Sequence, residues 1–175
     1  LQYADGLQLA IDEMQHFVEE VDCDVICGTE SRGFIFGMPI AYNLHKPFVT
    51  ILKKGKLPLE TVEESYDLEY GSATFEMHKD SIKPGQKVVI IDDLIATGGT
   101  VEACAKMIER LGGEVTRIVF LMELAGLKGR EKLAKYDVKS VIRYDGKYRI
   151  QRNAGVNHES GGYIRKKRKE TVKKN

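Results

Sequence analysis

Apolar and polar positions change period several times along this chain, and each change marks an element. Leu7, Ala10, Ile11, Met14, Phe17, Val18 and Val21 recur at helical spacing, which predicts an amphipathic helix that Asp5 can cap. Asp24 to Gly28 is a short apolar run and reads as a buried strand; the apolar helix Phe34 to Leu44 follows a polar loop, Thr29-Glu30-Ser31-Arg32-Gly33. Phe48 to Leu52 is the next strand. Residues 59–82 lack helical period and hold the alternating patches Tyr66-x-Leu68-x-Tyr70 and Thr74-x-Glu76-x-His78, which predict a two-stranded flexible β flap. The turn Lys83-Pro84-Gly85-Gln86 then launches Val88-Val89-Ile90-Ile91, four β-branched residues suited to a strand buried on both faces of a parallel sheet.

Beyond that strand, Val101, Ala105, Ile108 and Leu111 form a helical stripe that Gly112-Gly113 ends. Val115 to Leu124 reads as a strand, Leu127 to Ala134 as a short helix and Val138 to Ile142 as a last strand. Five main strands alternating with helices predict an α/β fold with a mostly parallel five-stranded central sheet, right-handed crossovers and flanking helices. In such sheets ligands bind at the carboxyl ends of the strands, which is where the loops 29–33, 53–56 and 92–100 fall.

A chain of 175 residues with 42% hydrophobic residues has the length of one domain with a sizeable core. No run of eighteen apolar residues and no signal-peptide pattern occurs, so a cytoplasmic protein without a membrane span is expected. Cys23, Cys27 and Cys104 are an odd set without C-x-x-C spacing, which encodes neither a disulfide framework nor a zinc site. The net charge of +1 conceals an asymmetry: residues 145–175 hold ten Lys and Arg against three acids, leaving 17 basic and 23 acidic residues in 1–144. We therefore divide the chain into a domain over residues 1–144, flap included, and a basic, turn-rich C-terminal extension over 145–175. An acidic body argues against a nucleic-acid binder, although the basic run Arg165-Lys166-Lys167-Arg168-Lys169 suits weak contact with a polyanion.

The candidate chemistry concentrates after the β-branched run. Ala96, Thr97, Gly98, Gly99 and Thr100 carry no bulky side chain, so their amides can converge on an anion at the start of the following helix. Asp92 and Asp93, just before, would repel a bare phosphate but suit ribose hydroxyls, so a sugar phosphate matches the order of groups. Neither G-x-x-x-x-G-K-[ST] nor a G-x-G-x-x-G after a strand is present. Arg32 at a strand's edge invites an anion; taken alone, the spacing also suits a Glu30–Arg32 surface ion pair. Lys53, Lys54 and Lys56 offer a second cationic wall, or on their own a solvated charge run.

Residues 88–100 resemble the phosphoribosyl pyrophosphate (PRPP) motif of the type I phosphoribosyltransferases, and Asp92-Asp93-Leu94-Ile95-Ala96-Thr97-Gly98-Gly99-Thr100 is close to the form found in those that act on adenine. Glu30-Ser31-Arg32-Gly33-Phe34, Gly55-Lys56-Leu57-Pro58, Leu68-Glu69-Tyr70-Gly71 and Leu127-Lys128-Gly129-Arg130-Glu131-Lys132-Leu133 agree in the same order, and the likeness covers roughly residues 5–144. The resemblance implies transfer of a phosphoribosyl group from PRPP to adenine, with Asp92, Asp93, Ala96, Thr97, Gly98, Gly99 and Thr100 binding PRPP. It implies Ser31, Arg32, Lys53 and Lys56 around the pyrophosphate, Glu69 handling the proton on the purine, and Tyr70 and Leu94 near the base or flap. It further implies Mg²⁺ held mainly by PRPP and water, with no direct protein ligand, and a homodimer. Leu52 departs from the family, which commonly has arginine there; the family's base-pocket segment ahead of the first helix is not in this sequence, so either the chain is truncated or other residues read the base, with Tyr148 or Tyr163 as candidates. Another purine base, or a PRPP-sensing regulator whose basic tail binds nucleic acid, is the competing reading.

Overall fold

The computed structural model describes residues 1–67 and 71–146. In chain order it contains helix α1 (Ala4–Glu19), strand β1 (Val25–Thr29), helix α2 (Gly33–Asn43), strands β2 (Phe48–Lys53), β3 (Thr61–Asp67), β4 (Ser72–His78) and β5 (Lys87–Ile95), helix α3 (Gly99–Arg110), strand β6 (Glu114–Leu124), the short helix α4 (Gly129–Lys132) and strand β7 (Val138–Tyr144). The extension expected beyond residue 144 lies almost wholly outside the described residues.

One seven-stranded sheet runs in the order β3-β4-β2-β1-β5-β6-β7. The five expected strands are its parallel part: β1 pairs with β2 and β5, β5 with β6, and β6 with β7. The correction lies at the edge, where the β3–β4 hairpin is not a separate flap but joins β2 antiparallel through Leu52 opposite Glu76 and Lys53 opposite Phe75. Its own register runs from Thr61 opposite His78 to Asp67 opposite Ser72.

The β-branched run at the centre shows why the sheet sits where it does. Successive side chains of a strand leave on opposite faces. Val88 and Ile90 enter a core layer with Val101, Cys104, Ala105 and Ile108 of α3, while Val89 and Ile91 enter the other layer with Met14 and Val18 of α1 and Phe36 and Ile40 of α2. Both faces of β5 are therefore covered, and all four residues are fully buried. Helix α1 buries Ala10, Met14 and Val18, one stripe of the predicted face, but Asp5 does not cap it. The cap position is Tyr3, and Asp5 lies in the first turn, where its charge faces the positive end of the helix dipole.

Past β6 the expected helix over Leu127 to Ala134 breaks in two. A 3₁₀ turn covers Ala125–Leu127, and Lys128, at φ 57°, separates it from α4. Among the described residues no helix is long and apolar enough to cross a membrane.

Candidate functional site

The carboxyl ends of β1, β2 and β5 open onto one side of the sheet, and the loops that leave them surround a cavity of about 350 Å³. Ser31, Arg32, Lys53, Asp92, Asp93, Leu94 and Thr100 all line it, joined by Glu30, Tyr66 and Phe75. A smaller space of about 80 Å³ adjoins it through Asp92, Leu94 and Thr100 and is walled by Ala96, Thr97, Gly98 and Gly99. Three stretches far apart in sequence thus meet at one point because parallel strands deliver all their carboxyl ends to the same edge.

The loop after β5 is built from main chain. Gly98, at φ 81°, turns the chain through a conformation that costs an L side chain about 1–2 kcal/mol. A Cβ there would also lie 2.7 Å from the carbonyl oxygen of Gly129, so α4 presses directly on the loop. Helix α3 starts immediately afterwards at Gly99, with no side chain capping its first turn. Its first residues, Gly99, Thr100 and Val101, wall the smaller cavity, and the amides that a helix start leaves without intrahelical partners suit an anion.

Asp92 and Asp93 share a strand end but not an environment. Asp92 is 9% exposed, and burial, aided by the neighbouring Asp93 charge, pushes its carboxyl up to about 7. The Thr29 hydroxyl, buried beside it and otherwise without a hydrogen-bond partner among the described residues, works in the opposite direction, as does the Asp93 amide donating to Asp92 Oδ1 at 2.9 Å. Asp93 instead reaches out to Arg32, whose Nε lies 2.5 Å from Asp93 Oδ2. The short-range Glu30–Arg32 ion pair allowed by sequence does not form.

Glu30 pairs with the Lys56 ammonium and accepts a hydrogen bond of 2.8 Å from the Lys53 amide. Burial alone would raise its carboxyl, but these partners hold it below the ordinary carboxylate range. Lys56 itself lies outside the cavity lining. The backbone of its loop is tied from below: Glu76 of β4, 3% exposed, accepts from the Lys56 amide at 2.7 Å and the Leu57 amide at 2.8 Å. Sequence reasoning missed Glu30 and Glu76 as organisers of the cationic loops, and Tyr66 and Phe75 as walls. Glu69 and Tyr70 lie outside the described residues.

The phosphoribosyl transferase domain family matches residues 7–153 of this chain. The chain belongs to the type I phosphoribosyltransferase family. This phosphoribosyltransferase is 67% identical over 147 residues, 84% of each chain, to the adenine phosphoribosyltransferase of Agathobacter rectalis. Its fold is similar to the crystal structure of adenine phosphoribosyltransferase from Thermoanaerobacter pseudethanolicus, with a TM-score of 0.80 and 48% identity over 82% of this chain and 83% of that one. It is also similar to the Saccharomyces cerevisiae enzyme complexed with an imino-altritol bisphosphate and adenine, with a TM-score of 0.74 and 40% identity over 80% and 81% of the two chains.

Proposed function

We infer that this phosphoribosyltransferase makes AMP and pyrophosphate from adenine and PRPP, a purine-salvage reaction. The observation that carries the reading is the meeting, in two adjoining cavities, of a loop of small residues, a pair of acids and the cations Arg32 and Lys53. The order of these groups suits PRPP end to end: its 5-phosphate on Ala96–Thr100, its ribose hydroxyls on Asp92 and Asp93, its pyrophosphate near Ser31, Arg32, Lys53 and Lys56. The names of relatives at high identity support adenine as the base.

In the reaction a ring nitrogen of adenine forms a bond to the ribose carbon as the bond to pyrophosphate breaks, and the base then loses a proton. Negative charge grows on the departing oxygen, where Arg32 and the lysines stabilise it, while positive charge grows on the sugar, where the acids favour it. Arg32 is 64% exposed at its side chain, and an ion pair this open contributes about 0–1 kcal/mol, so phosphate oxygens readily replace Asp93 as its partner. Glu69, between β3 and β4 in sequence, is the residue we assign to the purine proton, with Tyr70 and Leu94 toward the base.

Mg²⁺ would arrive carried by the substrate, with Asp92 and Asp93 at the edge of the cavity that would take PRPP. When bound, the ion neutralises charge on the pyrophosphate.

A panel of adenine, guanine, hypoxanthine, xanthine, uracil and orotate with PRPP tests the reading. Adenine should be consumed best; preference for a 6-oxopurine or a pyrimidine overturns the base assignment, and PRPP binding without turnover favours a sensor. Glu69→Gln should lower turnover while leaving PRPP affinity nearly unchanged.

Helix α2 supports a homodimer, because it leaves Ile35, Met38 and Tyr42 exposed along one face directly after the Arg32 loop. Sedimentation at micromolar concentration should show a dimer. Three free cysteines, two of them buried, accord with a reducing compartment such as the cytoplasm. The end of β7 at Tyr144 supports a domain boundary at residue 144, with the basic extension beyond it.

A further inference from the structure

Tyr66 is the last ring of β3 before the hairpin's tip, and three contacts fix it over the phosphate loop. Its ring stacks on Phe75 of β4 with centroids 6.0 Å apart and planes inclined by 18°. Its edge lies so close to Gly99 that a Cβ there would stand 2.8 Å from Tyr66 Cδ2. Its hydroxyl is 2.8 Å from Thr100 Oγ1. The strand is also pinned to α3, where Arg110 Nη1 donates to the Glu63 carbonyl at 2.9 Å. A tyrosine so held has little freedom to choose another partner, and Thr100 is, with Asp92 and Leu94, one of the residues that line both cavities.

Between two hydroxyls either can donate. An anion removes that choice, because phosphate oxygens only accept: a Thr100 hydroxyl that donates to phosphate must accept from Tyr66. We propose that Tyr66 is a positioning residue that turns the Thr100 hydroxyl toward the phosphate of PRPP. Tyr66 touches neither the reacting carbon nor the base in this scheme; it acts through Thr100, and the donated bond polarises the Thr100 hydroxyl and strengthens its own donation. The hairpin that forms the sheet edge thereby reports on the loop after β5, and Gly99 is required so that the ring can reach. This inference rests on the reading of Ala96–Thr100 as the phosphate loop.

The test is PRPP binding by calorimetry with steady-state kinetics on Tyr66→Phe, Thr100→Val, Thr100→Ser and the Tyr66→Phe/Thr100→Val pair. Tyr66→Phe keeps the ring on Phe75 and Gly99 and removes only the hydroxyl. We expect the PRPP dissociation constant and KM to rise ~3- to 10-fold, the worth of one neutral hydrogen bond, with kcat, the adenine KM and the melting temperature near wild type. Thr100→Val should weaken PRPP binding, adding Tyr66→Phe to it should change nothing further, and Thr100→Ser should restore binding only when Tyr66 is intact. The proposal is overturned if Thr100→Val weakens PRPP binding while Tyr66→Phe does not, or if the two losses multiply. If Thr100→Val leaves PRPP binding at wild type, the phosphate-loop reading falls, and the role of Tyr66 with it.

Discussion

The two sides of the cavity hold anions by opposite means. After β5 the loop Ala96–Thr100 offers neutral amides and hydroxyls, is wedged between Tyr66 and the Gly129 carbonyl, and has no charge to neutralise before a ligand arrives. After β1 and β2 the groups are full charges on long side chains, already matched within the protein, Arg32 by Asp93 and Lys56 by Glu30. The first side is shaped in advance and gains from every contact it makes. The second must exchange carboxylates for phosphate oxygens, so its net gain is smaller but its partners are easily released. That division suits a transferase in which one phosphate stays with the product and the pyrophosphate must leave.

The comparison breaks most visibly if the β5 loop is forced out of shape. Gly98→Ala adds a methyl to a left-handed residue and drives it against the Gly129 carbonyl, at a cost on the order of 3 kcal/mol. PRPP affinity should fall by roughly a hundredfold, with a smaller loss of melting temperature. A variant that binds PRPP normally would mean the loop is not shaped in advance. Thr97→Val acts more gently, removing one donor and leaving an apolar group beside the anion, and should weaken PRPP binding by ~1–3 kcal/mol. Both losses should persist in high salt, since neither removes a charge.

These contrasts were legible in the sequence to different degrees, for physical reasons. The parallel strands and the β5 loop were readable because each depends on neighbours in sequence: a β-branched run, then small residues, then a helical stripe. The fusion of the hairpin to the sheet was not, because it rests on two residue pairs between β2 and β4, and pairing depends on tertiary context rather than on local propensity. Glu76 belongs to the alternating patch Thr74-x-Glu76-x-His78 and is a charged residue, yet it is buried, and it accepts from a pair of amides in a loop about twenty residues earlier. Arg32 and Glu30 sit two residues apart in sequence and find different partners, Asp93 and Lys56.

Asp92 lies between the two sides and sharpens the contrast through pH. Its carboxyl is raised from 3.8 to about 7 in the folded chain, so between those values the folded state binds the proton more tightly than the unfolded state. The stability it contributes is complete below pH 3.8 and is lost as pH rises to about 7. Asp92→Asn, neutral at every pH, should therefore stabilise the ligand-free protein relative to wild type at pH 8, with the advantage vanishing toward pH 4. Thermal unfolding at pH 4, 6 and 8 measures this. The same variant should bind PRPP less well, because a ribose hydroxyl loses a charged acceptor. An advantage that does not change with pH would show that the carboxyl is ionised throughout.

The smallest effect concerns the self-neutralised side. Glu30→Gln retains an oxygen to accept from the Lys53 amide but removes the charge that occupies Lys56. If the cations are held in reserve by their carboxylates, the freed Lys56 strengthens pyrophosphate binding by about 0.5–1 kcal/mol, the range of an exposed ion pair. Two further signatures should accompany it. The gain should shrink as salt rises, since an unpaired surface ammonium is screened over a Debye length of about 8 Å at physiological ionic strength. Turnover should fall slightly if release of pyrophosphate limits the rate, because a tighter product leaves more slowly. Weaker pyrophosphate binding in Glu30→Gln would reverse the argument: Glu30 would then be the post that holds the lysine loop in place, and that side of the cavity would be as shaped in advance as the loop after β5.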